Sequence, residues 1–145
     1  MYKDRLQLVT FEQAKRLKVL DFDWETSVAY YDDPNAIKSG LAYAVRYGGY
    51  VSIKNLLMNV NGMSNLHCSA PTVTLALKWI REEKGIKCCV EFYGNDRYTY
   101  VIHTETGTRI FTLKRFFTYE SAESALLDEL LTILEQEQIN NKEYV

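Results

Sequence analysis

Apolar residues recur along this chain with two periods, and the change from one to the other marks the elements. Phe11, Ala14 and Leu17 fall on one helical face, with Glu12, Lys15, Arg16 and Lys18 between them. Thr10 and Gln13 stand three apart as a capping box, and Val9 is placed to staple onto Ala14. This predicts a helix over residues 10–20. Its basic residues read as a solvated face. A second helix is expected from Ser69 and Pro71, since proline is tolerated in a first turn. Val73, Ala76, Leu77 and Ile80 give it one buried face, and Lys84 with Gly85 closes it. A third starts at Thr118 as cap, with Glu120 and Glu123 well placed against the helix dipole. Ala122, Ala125, Leu126, Leu130, Ile133 and Leu134 form its broad apolar stripe, and Asn140–Val145 is expected to fray.

Between the second and third helices the pattern is that of strands. Ile86–Phe92 is followed by the turn residues Gly94-Asn95-Asp96, Tyr98–His103 by Thr106-Gly107, and Arg109–Phe116 completes a meander. Ile110, Leu113 and Phe116 do not alternate strictly, which points to a bulge or bend in the third strand. Residues 21–69 are less regular. Asp32-Asp33-Pro34-Asn35 and Asn61-Gly62 are turn signals, and Gly48-Gly49 is a hairpin dipeptide. Tyr43, Val45 and Tyr47 alternate with polar or small residues as one strand, and Tyr50–Ile53 reads as its return. Two or three short strands are expected here.

The order helix, strand, strand, strand, helix in the second half gives an α+β fold. An antiparallel sheet, the meander plus extra strands from residues 26–60, packs against two or three helices. The 145 residues are expected to form a single domain. It comprises an N-terminal helix region (1–20), a strand and loop region (21–68) and the helix-strand-strand-strand-helix unit (69–137). The chain shows no repeat or low-complexity linker.

Composition narrows the function classes. With 47% apolar and 25% charged residues the chain is globular, and a net charge of −2 provides no global pull toward nucleic acid or an acidic membrane. No apolar run approaches the roughly 20 residues of a membrane helix, and no signal peptide is visible, so a cytoplasmic protein is expected. The odd cysteine count (Cys68, Cys88, Cys89) does not suit a disulfide framework. With His67 and His103 the cysteines lack zinc-ligand spacing, so no metal is expected. Asp21, Asp23 and Glu25 alternate as calcium ligands do, but Thr26 stands where the loop needs glycine. A solvated acidic turn beside buried Phe22 and Trp24 is the better reading.

No phosphate-binding glycine loop, Gly-x-Ser-x-Gly elbow or histidine-paired nucleophile is evident, so neither a catalytic residue nor a cofactor is assigned. The element order is shared with the double-stranded-RNA-binding domain, which grips phosphates with lysines at the start of its last helix. Here Thr118 to Ile139 holds six acidic residues and no basic one, so the order is a common topology and not kinship. Two surfaces remain as binding candidates. Tyr30, Tyr31, Tyr43, Tyr47 and Tyr50 cluster in the middle of the chain, with Tyr43, Tyr47 and Tyr50 singled out as interface residues. On the meander, Arg97, Arg109, Lys114 and Arg115 interleave with Tyr98, Tyr100, Phe111 and Phe117, an arrangement able to stack bases or to pair with an anionic ligand.

The run Ser69-Ala-Pro-Thr-Val-Thr-Leu-Ala-Leu-Lys-Trp-Ile-Arg-Glu-Glu-Lys-Gly-Ile86 resembles a signature of small proteins from gut Bacteroidetes and their phages or prophages. Val9–Lys18 followed by Phe22-Asp23-Trp24, and Phe117–Leu131, fit the same family. The resemblance implies a bacterial cytosol or a phage particle and carries over no activity or site residue. The expected function is therefore a non-enzymatic accessory protein that binds a protein partner. A nucleic-acid binder and a protein that binds or sequesters a nucleotide are the alternatives. The last helix suits either a monomer or a homodimer.

Overall fold

Helix α1 (Phe11–Val19) begins where the capping box places it: Thr10 Oγ1 accepts from the Gln13 amide and Gln13 Oε1 accepts from the Thr10 amide. The exchange explains why a glutamine is almost wholly buried there. Asp21, at φ 64°, turns the chain out of the helix, and the Phe22 amide bonds back to the Leu17 carbonyl. This is a computed structural model that describes residues 7–26, 28–31, 43–46, 61, 67–103, 105–107, 109–112 and 114–143, with backbone alone at 31, 43–46, 67 and 111. The chain forms two compact units, one over Leu8–Thr72 and the other built from Val73–Val145.

In the first unit, β1 (Val28–Tyr31) is the central strand of an antiparallel sheet, between β2 (Tyr43–Arg46) and β3 (His67–Ser69). The extra strands expected before residue 60 thus pair in a sheet of their own. Asn61 locks this sheet: its Nδ2 donates to the Phe22 carbonyl and its Oδ1 accepts from the Ser69 amide. Tyr30 donates to the Val9 carbonyl and meets the Phe11 ring edge-on at 5.6 Å, tying β1 to the entry of α1. Phe22 is buried and Trp24 half-buried between exposed Asp21, Asp23 and Glu25, so the acidic residues face water as expected. The turn at 32–35, Gly48-Gly49 and the returning strand at 50–53 lie outside the described residues.

Ser69 is not a helix start. It ends β3, its amide bound to Asn61, and the Ala70 amide continues to the Val28 carbonyl. These pairings to distant residues claim the backbone that a helix would have used.

In the second unit, α2 (Val73–Glu83) stops at Gly85, whose φ of +70° reverses the chain into β4 (Lys87–Gly94). Trp79 of α2 is fully buried. β4 pairs with β5 (Arg97–His103), and β5 with β6 (Arg109–Phe111), as an antiparallel meander. Positive φ at both Asn95 and Asp96 makes the first connection a type I′ turn. α3 (Tyr119–Glu143) is capped by Thr118, whose Oγ1 accepts from the Ser121 amide. It continues through Asn140–Glu143, where fraying was expected. Leu126, Leu127, Leu130 and Leu131 are fully buried, and α3 contacts α2, β4 and β5. The fold is α+β, with three helices and two antiparallel sheets among the described residues. No helix among them is long and apolar enough to cross a membrane.

Candidate functional site

The third strand does bend. After Phe111 opposite Val101, the chain rejoins β5 only at Phe116 opposite Tyr98. Five steps on one side match three on the other, so the intervening residues bulge. Tyr98 and Phe116 exchange two backbone hydrogen bonds of 2.8 Å. One residue either side of this bridge, Arg115 falls opposite Thr99, and Arg97 opposite Phe117.

Strand alternation then sorts the side chains. Glu91, Thr99, Val101, Arg109 and Arg115 share the outer face, away from α3. Tyr98, Tyr100 and Ile102 share the helix face, where Tyr100 donates to Glu129 Oε2 at 2.5 Å. Burial and this carboxylate push the Tyr100 phenol up to about 12. Tyr98 meets Tyr119 edge-on at 5.9 Å and Phe92 at 5.6 Å.

Two arginines cross the outer face. Arg109 Nη2 binds both carboxylate oxygens of Glu91, at 3.0 and 3.2 Å. Arg115 lies over the Tyr93 ring, 4.0 Å from its centroid, and its Nη2 donates to the Tyr93 hydroxyl at 2.9 Å. Both span from the third strand to the first, and beneath them Thr99 and Val101 are 8% and 1% exposed. An open cleft of about 280 Å³ remains among these side chains, lined also by Thr112. At the turn end Arg97 lies over Phe117, 3.8 Å from the ring centroid, and among the described residues hydrogen-bonds only to the neighbouring Asp96 carbonyl.

The result is an exposed aromatic and arginine tip. Phe117 is 73% exposed, Phe92 65% and Tyr93 57%. Just inside it Glu123 is buried; burial raises its carboxyl above the usual range, against a long bond from Thr74 Oγ1. Burial also raises the Tyr119 phenol, helped by Glu123.

Of the residues singled out from sequence, Arg97, Arg109 and Arg115 come together on one face of the meander, in differing states. Arg109 is paired with a carboxylate; Arg97 and Arg115 are stacked on rings. Tyr100 is core and Tyr98 half-buried, while Phe117 is a surface residue. The side chains of Tyr43 and Phe111, and all of Tyr47 and Tyr50, lie outside the described residues. Sequence reasoning passed over Phe92, Tyr93 and Tyr119. The signal was a pair of adjacent aromatics just before Gly94-Asn95-Asp96, where the register shifts and alternation cannot bury both. Cys68 and Cys88 are buried and Cys89 exposed, all as free thiols. Comparison with protein-family models, curated proteins and solved structures finds no match to this chain.

Proposed function

We propose that this chain is a non-enzymatic interaction protein that binds a protein partner through the turn end of the meander. The observation carrying this reading is the exposure of Phe92, Tyr93 and Phe117 beside Arg97 and Arg115. Aromatic residues and arginine are what interfaces concentrate, because they combine large contact area with few rotamers to freeze. A grouped set of such rings is unusual on a surface with nothing to bind. Stacking holds each arginine in place before binding, which lowers the entropy lost on docking.

A nucleic-acid partner is the weaker reading. Arginine already occupies one face of Phe117 and of Tyr93, and Arg109 is neutralised by Glu91. The resemblance of the α2 segment supports a bacterial cytosol or phage particle as the setting, with the chain encoded by a phage or mobile element.

The test replaces Phe117 with a photoreactive benzoylphenylalanine and irradiates the full chain in a gut Bacteroidetes lysate. One protein crosslinked in stoichiometric yield, and lost when Phe92 and Tyr93 are changed to serine, is the expected result. Nucleic acid or nucleotide in its place overturns the proposal. So does the same protein captured equally from Gln136, an exposed position on α3.

A further inference from the structure

Three cations cluster at the tip without a carboxylate to balance them among the described residues. Lys15 pairs with Glu12, Lys78 with Glu82 and Arg109 with Glu91. Arg97, Lys114 and Arg115 have no carboxylate within ion-pair distance among the described residues, although the chain as a whole is acidic. Of the Arg115 guanidinium, only Nη2 makes a hydrogen bond among them, to Tyr93; Nε and Nη1 are left to donate. Each two-bond edge of a guanidinium pairs Nη2 with Nε or with Nη1, and the Tyr93 bond takes one of the two Nη2 hydrogens, so one such edge is left to receive a planar carboxylate with two parallel bonds. The cleft beside Arg115 has the buried Val101 and Thr99 as its floor and Tyr93 as a wall. The Thr99 hydroxyl is already used, donating to the Thr112 carbonyl at 3.2 Å. Unused donors in the cleft therefore come from arginine, and an acceptor-only group fits them.

We infer that the partner docks with an acidic segment, one carboxylate side chain entering this cleft onto Arg115 while flanking apolar side chains cover Tyr93 and Phe117. The inference rests on the tip being a protein-binding surface. Local charge favours a short acidic peptide over a polyanion. Among the described residues the cationic area is limited to Arg97, Lys114 and Arg115, and α3 begins beside it with Glu120 and Glu123 among its seven acidic residues. A phosphate backbone needs a continued basic track and meets this acidic helix, whereas one carboxylate needs only the fork.

The experiment pans a randomised peptide display library against the immobilised full chain and counter-selects on the Arg115→Gln variant. The expected enrichment is of sequences with Asp or Glu next to an aromatic or aliphatic residue. The best such peptide should bind the variant about tenfold more weakly, a typical loss when one partner of an interfacial charge pair is truncated. Arg115→Lys, which keeps the charge but not the fork, should recover only part of that affinity. Enriched peptides without acidic residues, or with equal affinity for both chains, overturn the acidic-segment inference while leaving a protein-binding tip standing. Failure of any peptide to enrich, with a dT12 oligonucleotide bound instead, overturns both.

Discussion

On one side of β5, Tyr100 and Ile102 face α3, where Tyr100 bonds to Glu129; on the other, Thr99 and Val101 floor a cleft that Arg109 and Arg115 cross from the third strand to the first. The same central strand thus has two different sides, one against a largely apolar helix face and one crossed by charged side chains whose heads stay in water. The first kind of cover is bound tightly to the core through dispersion and lost apolar hydration. The second is held by stacking and by one half-exposed ion pair, Arg109 with Glu91, which contributes little net stability. A face closed in the second way can be exchanged for a partner at small cost, and this is the physical sense in which the outer face suits binding.

Breaking the helix side should have the largest effect. Leu127→Ala, at a fully buried position of α3, is expected to lower stability by about 2–5 kcal/mol, read as a shifted urea midpoint. Tyr100→Phe sharpens the comparison, since it removes only the hydroxyl on Glu129 and should cost about 1–2 kcal/mol at neutral pH. Its pH dependence has a definite sign. The phenol ionises at about 12 in the folded chain against 10.0 ordinarily, first because of burial and then because of Glu129. Its contribution is complete below pH 10 and is lost as the pH rises from 10 toward 12, where only the unfolded chain releases the proton. Urea midpoints at about pH 9 and about pH 11 should therefore differ more in the wild type than in Tyr100→Phe. Arg109→Gln on the outer face should have the smallest effect, within about 1 kcal/mol and smaller still in high salt. A loss as large as that of Leu127→Ala would mean that the arginine cover is core, and the distinction between the faces would fall.

Much of the meander was legible because its pairings are local. Gly94-Asn95-Asp96 and Thr106-Gly107 each join strands adjacent in sequence, and each turn residue serves the conformation it was read for. The lapse in alternation after Arg109 pointed to a bulge, and a bulge is there. The start of α2 was misread because Ser69 and Ala70 are held by Asn61 and Val28, and no periodicity within a short window encodes such distant partners. The site was legible as a set of residue types, and Arg97 and Arg115 were named with the right strand. What the pattern could not supply was which rings meet which cation. That depends on the two extra residues of the bulge, which turn Arg115 toward Tyr93 and set Phe117 under Arg97.

The chain has two tryptophans, and each compact unit holds one: half-buried Trp24 in Leu8–Thr72, and fully buried Trp79 in Val73–Val145. Indole emission moves to longer wavelength as water gains access, so nature has installed a separate optical reporter in each unit. In Trp24→Phe the remaining light follows the meander unit alone; in Trp79→Phe it follows the capped helix and the small sheet. Superimposable denaturation curves from the two variants would identify one cooperative transition, and displaced curves would identify two.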